Sequence, residues 1–66
     1  MSAMQPAPPI VIELSDAQAW AFAQFVKRAG LSDYRALAVD QDEAATMLCA
    51  GEAIRKALAE AGWSPR

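Results

Sequence analysis

The chain has 66 residues with a single cysteine and no histidine, a formal net charge of −2 and a pI near 4.8. A disulfide within the chain is therefore impossible, the usual Cys/His zinc sites cannot be assembled, and broad binding to phosphate backbones is disfavoured, because that binding is driven by Lys and Arg displacing counterions. The composition, 55% hydrophobic and 21% charged, is that of one small globular domain, but much of the apolar share is alanine, which adds helix propensity and little core volume.

Residues 1–9 carry Pro6, Pro8 and Pro9 without periodicity and without Lys or Arg. They read as a flexible, locally extended arm, and as neither a secretory signal nor a transit peptide. No apolar run approaches the roughly 18 residues of a membrane span. Together with the lone cysteine this gives the expectation of a cytoplasmic protein without membrane contact, whose residues 10–66 form a single helical domain.

The stretch IVIEL, residues 10–14, is β-branched and follows a proline, so it reads as a short extended segment with Ile10, Ile12 and Leu14 on one side. No second strand is evident. Three outcomes stay open: packing alone over the helices, pairing with a copy of itself, or addition to a partner's sheet edge.

Ser15 opens a first helix, about 16–29, in the capping-box manner with Gln18, and Asp16 meets the positive end of the dipole. Gly30 is its expected stop, in the left-handed conformation that glycine adopts cheaply, with Lys27 and Arg28 in the last turn. At about 100° per residue, Phe22, Phe25, Val26 and Ala29 share a face with Gln18 and Ala21, and this face is the expected core stripe. Ser32 is placed to cap a short second helix, about 33–38, with Tyr34, Leu37 and Leu31 turned inward. Asp40 caps a third, about 41–61, with Glu43 in the capping-box position, Asp42 in the first turn and Gly62 as the stop. Its apolar arc is Ala44, Met47, Gly51, Ile54, Leu58 and Ala61. Glycine at 51 costs about 1 kcal/mol relative to alanine, which predicts close approach of another backbone, that of the first helix. The fold class is thus all-α, a small three-helix domain with a short N-terminal extended segment.

Catalytic chemistry finds little support. Nucleophile-and-base arrangements generally use histidine, Cys49 has no such partner, and the glycines at 30, 51 and 62 are isolated, so no phosphate-cradling loop exists. The expectation is a protein that is not an enzyme and holds no cofactor or metal. Cys49 projects opposite the apolar arc of the third helix, beside Glu52, where it is either a small helix-tolerated residue or an intermolecular redox contact that the neighbouring carboxylate disfavours.

The charged residues are unevenly placed. Between positions 31 and 52, Asp33, Asp40, Asp42, Glu43 and Glu52 face the single base Arg35. They serve either as caps and solvated surface or as an acidic patch that docks on Lys/Arg clusters. Trp20 points away from Phe22 and Phe25. It is either covered by the chain itself, through IVIEL or Trp63, or exposed as an interaction anchor. A DNA-reading helix-turn-helix is disfavoured because Asp40, Asp42 and Glu43 would meet phosphates.

The stretches ELSDAQAWAFAQFVKRAGLSDYRALAVDQDEA and AIRKALAEAGWSPR resemble small proteins of proteobacterial phages and mobile elements, and the chain is similar to anti-CRISPR proteins directed at type I-C systems. That resemblance implies a stoichiometric, phage-encoded inhibitor that binds a subunit of the type I-C surveillance complex in the host cytoplasm and keeps target DNA from it. Such complexes hold DNA in positively charged channels. Asp33, Asp40, Asp42, Glu43, Glu52 and Trp20 are then the candidate partner-binding residues of a DNA mimic, with no direct nucleic-acid contact. The alternative is a structural or regulatory interaction module of a phage or mobile element, monomeric or homodimeric.

Overall fold

The computed structural model describes residues 9–65, and the arm read at 1–9 lies, but for Pro9, outside them. Three helices follow one another: α1, Asp16–Arg28; α2, Leu31–Leu37; and α3, Gln41–Glu60. The protein is all-α, with no strand among the described residues. Residues 10–14 form no ladder, and Ile10 and Val11 stand 85% and 87% exposed, so only Ile12 and Leu14 approach the helices.

α1 starts as expected. The Ser15 hydroxyl accepts from the Gln18 N–H at 3.1 Å while the Gln18 side chain accepts from the Ser15 N–H at 2.9 Å, which satisfies two orphan donors reciprocally. Its end differs from expectation. Ala29 is the C-cap, and Gly30 is extended, with φ −113° and ψ −179°, not left-handed. Gly30 instead caps α2, where the Asp33 carboxylate accepts from the Gly30 N–H at 2.8 Å. Two extended residues thus join α1 to α2, and Ser32, expected as the cap, is an exposed residue inside α2. α2 begins two residues earlier than expected because a carboxylate at the third helical position can hold the N-terminus without a side chain on the cap itself.

α3 is capped by Asp40, whose carboxylate accepts from the Glu43 N–H at 2.8 Å. It ends in a Schellman motif. Gly62, at φ 105°, donates to the Ala59 carbonyl at 3.0 Å, and Trp63 donates to the Leu58 carbonyl at 2.8 Å. The expected stop at Gly62 is therefore observed, and here the left-handed conformation does require glycine.

Both α1 and α2 pack on α3, and they make no packing contact with each other. The result is an open array measuring 40 × 29 × 15 Å in place of a closed bundle. Its core is thin. The buried hydrophobic residues are Ala19, Ala23, Val26 and Ala44, and Val26 is the largest fully buried side chain. The buried stripe of α1 is thus Ala19, Ala23 and Val26, turned about 100° from the face centred on Phe22 and Phe25. Of the expected stripe only Val26 is buried. Small side chains let the helices approach closely, and the bulkier phenylalanines are left at 40% and 55% exposure. Leu31 and Leu37, expected inside, are exposed, whereas Tyr34 is half-buried. On α3, Ala44 and Gly51 are buried and Met47 and Leu58 half-buried, while Ile54 and Ala61 are exposed.

Gly51 is explained by a side chain and not by the backbone of α1. A methyl group built at Gly51 would run into the Tyr34 hydroxyl and would lie 2.9 Å from its ring Cζ. The glycine is the socket that receives the α2 tyrosine.

Candidate functional site

The five acids read either as caps and solvated surface or as one acidic patch, and the structure gives three of them local capping duties. Asp33 caps α2 and Asp40 caps α3, as described above. The half-buried Glu43 reaches back past the cap to accept from the Val39 N–H at 2.8 Å. Asp42 is exposed in the first turn of α3, where its backbone carbonyl accepts from the Thr46 hydroxyl at 3.0 Å. Glu52 is exposed in mid-helix. Only Asp42 and Glu52 therefore have side chains free of capping bonds. Among the described residues no group of three or more His, Cys, Asp or Glu is placed to hold a metal ion, and Cys49 is a free, exposed thiol.

Trp20 is partly covered by the chain itself. The Schellman turn brings Trp63 back so that the two indoles meet edge to face, with ring centroids 6.2 Å apart, and Trp20 stays 45% exposed. An edge-to-face pair of this kind contributes about 0.5–1.5 kcal/mol beyond its area burial. It ties the end of α3 to α1.

The more prominent surface lies round the far side of α1. Phe22 and Phe25 stack on each other there, with centroids 5.3 Å apart and planes inclined by 26°. Each borders an open groove. One groove, of about 550 Å³, is lined by Ile12, Leu14, Gln18, Ala21, Phe22, Ile54 and Leu58. The other, of about 610 Å³, is lined by Phe25, Arg28, Ala29, Asp33, Tyr34, Ala36 and Leu37. The stacked rings join the two into one apolar face that runs from the N-terminal segment, across α1, to α2. Its only charged lining residues are Arg28 and Asp33. Asp40, Asp42, Glu43, Glu52 and Trp20 line neither groove.

A sequence reading assigns this face to the core because its side chains are the large ones. The contrary signal was present in the Ala19, Ala23, Val26 spacing, a second stripe at helical period made of small residues.

The fold and this surface define a small all-α domain whose distinctive chemistry is an exposed apolar face and not a cluster of reactive groups. The chain belongs to the family of unknown function DUF7706, whose sequence profile matches residues 1–66. No curated protein matches it. No solved structure matches it either. Among the described residues, no helix is long and apolar enough to cross a membrane.

Proposed function

We propose that this protein is a non-enzymatic interaction module that docks the Phe22–Phe25 face onto another protein surface. One observation carries the reading: Phe22, Phe25, Leu31 and Leu37 of α1 and α2 lie outside, with Phe25 at 55% and Leu37 at 83% exposure, while the buried residues are alanines, one valine and Gly51. Contiguous apolar patches on monomeric proteins rarely exceed a few hundred Å², and larger ones mark interaction surfaces. Aromatic anchors are also the residues that most often dominate binding energy. A photo-crosslinking amino acid placed at Phe25 or Leu37 is expected to trap a polypeptide in cells, and the same group at Cys49, on the opposite side of α3, is not. Equal yields from all three positions would contradict the reading.

A second reading is favoured by where the acids lie. Because Asp42 and Glu52 are exposed and border neither groove, a chain engaged through its apolar face still displays them. Their display is compatible with the inhibition of a type I-C surveillance complex that the sequence resemblance implies, the acids occupying a positively charged DNA channel. The informative substitutions are Asp42→Lys and Glu52→Lys, since reversal of Asp40 or Glu43 would also remove bonds at the start of α3. Dose-dependent loss of target-DNA binding by the purified complex, weakened by the double reversal, is the expected result. Unchanged DNA binding in the presence of excess protein would remove this reading and leave the first intact.

A further inference from the structure

We infer that the occupant of the Phe22–Phe25 face is a second copy of this chain, so that the protein is an isologous homodimer; the inference rests on the face being a docking surface.

The first argument is the incompleteness of the single chain. A domain is ordinarily two packed layers enclosing one core, and chains below about 70 residues that lack a large core are stabilised by disulfides, metals or oligomerisation. The lone Cys49 excludes a disulfide within the chain, and the described residues offer no metal-holding group. Oligomerisation is one such device, and the exposed apolar face is the feature that would serve it. A cover needed for stability must accompany the chain wherever it is made, and a second copy meets that condition at every expression level that yields the protein in quantity.

The second argument is area. The exposed parts of Ile12, Leu14, Phe22, Phe25, Leu37 and Ile54 together amount to at most roughly 700 Å², set against the roughly 800 Å² per partner of a standard interface. A contact of standard size would therefore have to cover most of this face and its rim.

The third argument is charge. In a two-fold interface the same patch meets itself, so it must be either uncharged or balanced in sign. This face carries one base and one acid, Arg28 and Asp33, at the same groove. A two-fold arrangement that pairs Arg28 of each copy with Asp33 of the other would balance the charge, and the other four acids of the 31–52 stretch lie outside both grooves. A basic partner would be better served by the acidic side of the molecule, and an acidic partner would be repelled by it.

The test is sedimentation equilibrium of the full chain, supplemented by mixing. The wild type is expected to show twice the chain mass of 7.1 kDa, and Phe25→Glu/Leu37→Glu the single mass. Arg28→Glu leaves only acids at the groove and Asp33→Arg only bases. Each alone is expected to dissociate at least tenfold more readily, and an equimolar mixture to recover the dimer as a heterodimer. Should Asp33→Arg lose helix content through its missing cap, the Phe25→Glu/Leu37→Glu result decides by itself. A dimer untouched by that double variant would overturn the proposal by placing the contact elsewhere. A wild-type monomer at 100 µM would overturn it too, and the fate of the docking face would then be read with an apolar dye. Dye binding abolished by Phe25→Glu/Leu37→Glu keeps the face as a site for a different protein, and absence of dye binding removes the face itself.

Discussion

Gly51 and Tyr34 show how one residue pair can reverse an ordinary propensity rule. In an exposed helix, replacing glycine with alanine stabilises by about 1 kcal/mol. At Gly51 the added methyl must displace the Tyr34 ring, and overpacking of a fitted contact costs about 1–3 kcal/mol. Gly51→Ala is therefore expected to lower the melting temperature by several degrees, whereas in a Tyr34→Ala background the same change becomes neutral or stabilising. A double-mutant cycle by thermal unfolding checks this, and additive effects would show that the tyrosine is not what requires the glycine. The glycine was legible as an anomaly in the sequence, and its partner was not, because periodicity identifies a tight spot on one helix without saying which neighbour fills it.

At the scale of elements, the acids of α3 divide by duty. Asp40 holds the Glu43 N–H and Glu43 holds the Val39 N–H, while the Asp42 carboxylate holds neither. Asp40→Ala is expected to cost about 1 kcal/mol, the usual loss for a missing N-cap. Asp42→Ala is expected to cost a few tenths, through the dipole alone. Chemical denaturation of the two variants separates them, and equal losses would contradict the assignment. Caps were the part of the fold most readable beforehand. Ser15 with Gln18, the Asp40 cap and Gly62 each follow from a local rule acting within four residues, whereas Glu43, expected to close a capping box on the Asp40 N–H, bonds the Val39 N–H one residue further back. The start of α2 was missed for the same local reason, since Asp33 could bond the Gly30 N–H as well as take its place behind a Ser32 cap, and the two registers differ by only two residues.

The whole molecule is where the sequence misled. A stripe of phenylalanines reads as core when the helix is assumed to pack once, on its most hydrophobic side. α1 instead turns Ala19, Ala23 and Val26 to α3, and the small-residue seam leaves Phe22 and Phe25 for a second contact. No intrachain rule distinguishes these two faces, because both are apolar and both recur at helical period. What tells them apart is the number of neighbours available, and within one chain α1 has only α3. The acids carry the converse lesson, as charges counted along the chain suggest a patch while three of the five carboxylates are bonded to backbone at helix starts, which is the capping alternative read from the sequence.

If the second contact completes the fold, stability must depend on protein concentration, because association favours the native dimer by mass action. The most direct measurement is thermal unfolding of the full chain at about 1 and 100 µM, beside Phe25→Glu/Leu37→Glu at the same concentrations. The account predicts a melting temperature that rises with concentration for the wild type and a lower, concentration-independent one for the variant. A wild-type melting temperature that is the same at both concentrations would contradict it.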